Sequence, residues 1–188
     1  MARFNQSFFF LLSGISLGVF TELFLPEPDK ARVGAHLMEH LFLNDAQIDH
    51  SAVFWESAEN HIGLLALLFV SGLTSFGVPA AYISLLGKGT ALGFSAAFLM
   101  ESMAFRGALA MITAILPPHL LILPALLLAA SAAASHSKSA MGNRRKRSLS
   151  KEPGPYCLSF VLPLILILIA ALWEAFISPA FLQLTGSR

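Results

Sequence analysis

The run His36-Leu37-Met38-Glu39-His40 is the stretch whose residue types and spacing match a catalytic pattern. Two histidines separated by three residues share a helix face and can bind zinc, while the adjacent glutamate serves as general base. A zinc site also needs a third ligand from another part of a folded domain. The polar stretch around the run, residues 26–60, is too short to build such a domain. We therefore expect no metal site and no other cofactor site.

A second candidate site consists of charged residues that interrupt apolar stretches. Charges within membrane segments are costly and often functional, although a charge can also mark a helix end at the lipid headgroups. We predict a polar cluster near the outer face that meets partner proteins. Within it, Arg106 is expected to pair with Glu101 or Glu174 and to hold the helix ends together. The predicted members are Glu22, Glu101, Arg106 and Glu174.

The composition places the chain among membrane proteins. Of its 188 residues, 56% are hydrophobic and 12% are charged, whereas globular domains carry about 25% charged residues. Its one cysteine, Cys157, cannot form an intramolecular disulfide. The sequence contains no phosphate-binding loop and no spacing typical of a nucleophile with its base, so we predict that the protein is not an enzyme.

The apolar runs predict an all-α polytopic bundle of about five transmembrane helices, which together form a single membrane domain over residues 1–188. About 20 apolar residues span a bilayer. Residues 26–60 form a polar outer loop, within which the four-residue recurrence from Val33 to Leu41 predicts a short amphipathic helix. Gly87-Lys88-Gly89 is expected to be a tight turn. The predicted spans are residues 8–25, 61–86, 89–105, 107–135 and 157–178.

Glycine and proline predict breaks and close approaches in these helices. The pairs Gly14 and Gly18, and Gly89 and Gly93, have the four-residue spacing that lets helices approach closely. Proline removes a backbone donor, so the central segment, residues 89–135, either crosses the membrane as kinked helices or re-enters as two half-helices. The predicted helix breaks are Gly77, Pro79, Pro117, Pro118, Pro124 and Pro179.

A cluster of basic residues defines the orientation. It lies in the loop 136–156, between two apolar spans, where basic loops remain cytoplasmic and contact anionic lipids. This explanation is favoured over nucleic-acid binding. The N-terminus is then cytoplasmic, the acidic loop is outside, and an odd number of spans leaves the C-terminus outside. The lipid-facing residues are Arg144, Arg145, Lys146 and Arg147.

Several short blocks lie in order between Leu73 and Pro179. They are Gly77-Val78-Pro79, Lys88-Gly89, Gly93-Phe94, Gly107, Leu116-Pro117, Pro124-Ala125 and Glu174-Ala175-Phe176-Ile177-Ser178-Pro179. In residues, order and spacing these blocks resemble the stage II sporulation protein M family. The wider membrane family has Pro-His-Gly and a glutamate between two prolines, whereas aliphatic Ile122 stands at the glutamate position here, as in sporulation members.

The resemblance implies an integral membrane scaffold of sporulation engulfment. Such a scaffold anchors two peptidoglycan-degrading partners, stage II sporulation proteins P and D, at the engulfing membrane. Two other functions stay open. A small transporter or channel subunit would use the broken helices and His119 as a binding site. A membrane-embedded protease would use the histidines of the outer loop.

Overall fold

The computed structural model describes residues 2–42, 49–74, 76–142 and 153–181, which form helices with no strand among them. The predicted all-α membrane bundle is therefore confirmed. A π-helical turn lies between two of the helices, at Met111–Ile115. In chain order the helices are α1 (Ala2–Leu23), α2 (Glu27–Phe42), α3 (His50–Gly72), α4 (Gly77–Met103), α5 (Phe105–Ala110), α6 (Leu116–Gly142) and α7 (Pro153–Phe176).

Four helical stretches of the described chain are long and apolar enough to cross a membrane. The fifth long helix, α3, is more polar because its first half carries Glu56 and Glu59, but it packs against α4, α6 and α7 inside the bundle. The apolar stretches are residues 5–23, 77–103, 105–138 and 154–181.

The predicted boundary between the second and third spans is wrong. Helix α3 ends at Gly72 and α4 begins at Gly77, so Gly87-Lys88-Gly89 lies inside α4 and is not a turn. Pro79 falls in the first turn of α4, where its missing N–H leaves no hydrogen bond unmade. The predicted break therefore lies slightly earlier, between Gly72 and Gly77, and both Gly77 and Pro79 belong to the first turn of α4.

The central segment forms one irregular helical column from α5 through the π-helical turn to α6. It begins directly after Ala104, whose φ of 47° makes it the non-glycine residue with positive φ in the described chain. The boundary predicted between the spans 89–105 and 107–135 therefore lies two residues earlier, at Ala104. Gly107 lies within α5, and a side chain there would meet the carbonyl oxygen of Leu99 on α4. The absence of a side chain at Gly107 therefore lets α5 pack directly against the backbone of α4.

The two ends of the helical bundle differ in their residues. At the end that we call the acidic end, α1, α4 and α7 finish, and Glu22 and Glu101 approach the same lysine. At the opposite end, called the basic end, Tyr156 of α7 contacts Phe69 of α3 and His136 of α6. The basic loop joins α6 to α7 at this end, although Arg144–Arg147 lie outside the described residues.

The two glycine pairs predicted from sequence pack against each other. Added Cβ atoms on Gly14 and Gly18 would meet backbone oxygens of α4, and those on Gly89 and Gly93 would meet backbone oxygens of α1. Helices α1 and α4 run parallel, and Tyr82 Oη donates a hydrogen bond of 2.9 Å to Gln6 Oε1 near their first turns. Because lipid supplies no hydrophobic drive between helices, this close backbone packing is what holds α1.

The amphipathic segment predicted within residues 26–60 is helix α2, and α3 begins with a conventional cap. Asp49 accepts hydrogen bonds from the backbone N–H of Ser51 at 3.0 Å and of Ala52 at 3.3 Å. Hydrogen bonding, chiefly from the Ser51 hydroxyl, lowers the pKa of Asp49 below its ordinary value. The cap fixes the start of α3 at His50, whose side chain contacts the Ala175 carbonyl of α7.

Replacing Gly93 with Ile tests the packing of α1 against α4. The added side chain has no space against α1, and overpacking costs about 1–3 kcal/mol. We expect a clear fall in the thermal midpoint of the purified protein. Gly87→Ile on the same helix is the matched control, because nothing lies within 4 Å of a Cβ there. Equal midpoints for the two variants would contradict this packing.

Candidate functional site

Lys30 of α2 joins the acidic ends of α1 and α4. Its Nζ donates hydrogen bonds of 2.8 Å to both carboxylate oxygens of Glu101 and lies 3.2 Å from Glu22 Oε1. The Glu22 side chain is only 1% exposed, whereas that of Glu101 is 49% exposed. A buried carboxylate without a partner is costly, so Lys30 both neutralises Glu22 and attaches α2 to the bundle.

The electrostatics of this contact depend on the charge of Lys30. Its hydrogen bond to Glu101, the largest influence, raises the pKa of Lys30 above its ordinary value. A lysine whose pKa rises on folding stabilises the folded state fully below its unfolded pKa, about 10.4. That stabilisation is lost as the pH increases through the folded pKa.

The predicted polar cluster at the outer face divides into separate groups. Glu22 and Glu101 do come together, but the cation between them is Lys30. Arg106 is exposed at the start of α5 and forms no salt bridge within the described part of the chain, so the predicted pairing with Glu101 or Glu174 is wrong. The reason is that α2 folds back and brings Lys30 to Glu101, while Arg106 lies exposed on α5.

Glu174 lies apart from these residues, against α3. Its Oε2 accepts a hydrogen bond from Ser57 Oγ at 2.5 Å and lies 3.5 Å from His61 Nε2. His61 is the central residue of α3 and is 3% exposed. Glu174, two residues before the end of α7, therefore joins α7 to the polar half of α3.

Two further polar residues lie near Glu174. Lys88 of α4 is within electrostatic range of the Glu174 carboxylate and of His119 on α6, and His119 is also within range of His61. The Nδ1 atom of His119 lies 2.9 Å from the Ile115 carbonyl oxygen. Four helices thus bring together one group, which we call the interior cluster: Ser57, His61, Lys88, His119 and Glu174.

Residues 174–179, which we call the C-terminal motif, also satisfy backbone carbonyl groups that proline leaves without a donor. Pro118 lacks the N–H that an α-helix would direct to the Ala114 carbonyl. Ser178 Oγ supplies that hydrogen bond instead, at 2.8 Å and in a buried position. The π-helical turn directly before Pro117 gives the ring space, since its N–H groups reach back five residues, as from Leu116 to Met111.

The Ala175 carbonyl, within the motif, also meets a side-chain nitrogen in place of a missing backbone donor. Pro179 cannot donate to the Ala175 carbonyl, and His50 Nδ1 lies 2.6 Å from that oxygen. The His50 ring also stacks on Phe176, with centroids 5.2 Å apart. Residues 174–178 therefore attach the end of α7 to α3 and to the π-helical turn at the same time.

The other predicted residues have mixed outcomes. Pro124 lies inside α6 without ending it, whereas Pro117 and Pro118 follow the π-helical turn and Pro179 follows the end of α7. The backbone of His36–His40 is helical, but its side chains lie outside the described residues. Within the described chain, no group of three His, Cys, Asp or Glu side chains could hold a metal ion.

The sequence contained a signal for the interior cluster. Lys88 follows buried Leu85 by three residues and precedes buried Leu92 by four, so helical spacing places it on the packed face of α4. His61 likewise precedes buried Leu65 by four residues on α3. This pattern does not enter the prediction, because the turn expected at Lys88 places its charge outside the membrane.

One family model matches the chain. The model described as stage II sporulation protein M matches residues 7–179, which include both the α1 and α4 glycines and the complete C-terminal motif. No curated protein and no solved structure matches the chain.

Removing the Ser178 hydroxyl tests the role of the C-terminal motif. In Ser178→Ala the buried Ala114 carbonyl loses its donor, which costs about 1–3 kcal/mol, and we expect the thermal midpoint to fall. In a Pro118→Ala background, where a backbone N–H is restored, the same substitution should cost less. Ser131→Ala is the control, since its hydroxyl bonds an exposed Leu128 carbonyl. An identical cost in both backgrounds would refute the assignment.

Raising the pH should release α2 through Lys30. A spin label at the exposed Ala35 position reports the mobility of α2. With Lys30 present, mobility should increase only above about pH 10.4. In Lys30→Met the label should already be mobile at pH 7, with no further alkaline step. Lys138→Met, at the basic end, is the control and should keep the original pH profile of label mobility. An unchanged profile in Lys30→Met would contradict the role of Lys30 in holding α2.

Proposed function

Because the chain belongs to the stage II sporulation protein M family, we propose that this multi-pass membrane protein is a scaffold of sporulation engulfment. It recruits peptidoglycan-degrading partners and holds them at the engulfing membrane. The partners that we propose are stage II sporulation proteins P and D, with the acidic end as their docking surface. The chemistry belongs to the partners, and this chain supplies position.

The observation that carries the proposal is the way polar contacts fix the acidic end. Lys30 attaches α2 to Glu101, His50 attaches α3 to the Ala175 carbonyl, and Ser57 attaches α3 to Glu174. A surface that is already rigid loses less conformational entropy when a partner binds. These contacts therefore suit a docking platform.

The charge of the same end favours partners with a basic surface. Glu27 and Asp29 on α2, and Glu56 and Glu59 on α3, are all exposed. Charges at the rim of an interface steer association and select partners more than they add affinity. If the basic loop is cytoplasmic, as such loops usually are, the acidic end faces the outside, where enzymes of the cell wall act.

Binding of the partners to the full-length protein in nanodiscs tests the proposal. The soluble domains of stage II sporulation proteins P and D should bind the unmodified chain, with an affinity that falls as salt increases. In Glu27→Lys/Asp29→Lys the affinity should fall by about tenfold, mainly through slower association.

A matched control separates docking from general charge effects. Lys138→Glu reverses an exposed charge at the basic end and should leave binding unchanged. Thermal midpoints must agree among the variants, so that lost binding is not lost folding. If neither partner binds the unmodified chain in nanodiscs, the scaffold proposal is wrong.

The interior cluster favours a second candidate function, a small transporter or channel subunit. Charged and imidazole groups inside a helical bundle commonly mark the paths of ions and substrates. A flux assay in proteoliposomes would separate the two functions. Solute movement that stops in His119→Ala would support transport, and the absence of flux with intact partner binding would support the scaffold.

A further inference from the structure

The interior cluster holds more hydrogen-bonding capacity than the described contacts use. The Glu174 carboxylate accepts a hydrogen bond from Ser57 and lies beside His61 Nε2. His119 Nδ1 lies within hydrogen-bond distance of the Ile115 carbonyl oxygen. His61 Nδ1 is buried with no partner among the described residues. Lys88, with three N–H donors, forms no salt bridge in the described part of the chain.

The hydrogen bonds of the two histidines determine which ring nitrogen carries hydrogen. A carbonyl oxygen only accepts, so His119 Nδ1 bears the hydrogen and Nε2 of the neutral ring keeps its lone pair. In His61, Nε2 faces the Glu174 carboxylate and bears the hydrogen, which leaves the lone pair on buried Nδ1. His61 thus keeps a basic nitrogen in the buried interior, and His119 keeps one on Nε2.

Within the described chain the Glu174 carboxylate has no cation in contact. Lys88 forms no salt bridge with it, and both histidines are neutral in the tautomers above. A further proton on His61 would supply that positive charge. Glu56 and Glu59 of α3 are exposed, and Glu22 of α1 is engaged by Lys30, so these carboxylates lie outside the cluster. Buried imidazole and carboxyl groups that face one another form the proton-binding sites of many membrane proteins.

We propose that the interior cluster binds an exchangeable proton, delivered by water from the acidic end. The proton passes from a hydronium ion to the free nitrogen of His61 or His119, which becomes imidazolium while water is released. No bond to carbon changes and no oxidation occurs. Glu174, whose side chain is 21% exposed against 4% for that of His61, is the point of entry.

Proton uptake has a structural consequence that does not depend on the scaffold function. An imidazolium at His61 strengthens the contact with Glu174, because the pair then carries opposite full charges. That contact joins α3 to α7 at the acidic end. The bundle should therefore hold these two helices together more firmly as the outer solution becomes acidic.

Nitrogen-15 NMR of the histidine rings tests the proposal on the full chain in nanodiscs. The ring signals of His61 and His119 should change together from the neutral to the imidazolium form as the pH is lowered. Lys88→Met and Glu174→Gln should each move both midpoints by about one pH unit, a tenfold change in proton affinity. His136, which stacks on Tyr156 at the basic end, is the internal control and should be unaffected by either substitution.

The opposite results would overturn the proposal. Signals of His61 and His119 that stay neutral at every pH would show that no proton binds. Titration midpoints of the two rings that are unchanged in both Lys88→Met and Glu174→Gln would show that the histidines titrate separately and do not form a shared site. Should Glu174→Gln fail to fold, Lys88→Met alone decides, with thermal midpoints confirming that it is folded.

Discussion

The hydrogen bonds of the backbone are the constraint on which this bundle depends. Within a bilayer no water replaces a missing donor, so each proline in a helix leaves a carbonyl that another part of the protein must satisfy. Here Ser178 donates to the Ala114 carbonyl and His50 contacts the Ala175 carbonyl. Both contacts connect the end of α7 to other helices, so the same prolines that interrupt helices also determine how the helices are joined.

Close packing of helix backbones also stabilises the bundle. The glycines of α1 and α4 let the two helices meet without side chains between them, which compensates for the lack of a hydrophobic drive in lipid. Small residues on α6 continue this packing at the centre of the bundle, where Ala129, Ala130 and Ala133 are fully buried. The polar residues then occupy the few places that such packing leaves open.

Sequence patterns predicted the fold class, the amphipathic α2 helix and the glycine pairs, since each depends on local spacing. They did not predict where α3 ends or that Lys88 lies inside α4. A lysine between two glycines is typical of a turn, and only the tertiary arrangement brings the Lys88 charge within electrostatic range of His119 on α6 and Glu174 on α7. The partner of Glu101 was missed for a related reason, because α2 folds back over α4 and brings Lys30 there instead of Arg106.

Infrared spectroscopy of single labelled carbonyls would test the central claim, that groups on neighbouring helices replace the donors that proline lacks. A ¹³C=¹⁸O label at Ala114 or Ala175 should absorb at nearly the same frequency as a label at Ala129, within the regular part of α6. Bands at distinctly higher frequency, as for carbonyls without a hydrogen bond, would contradict the account.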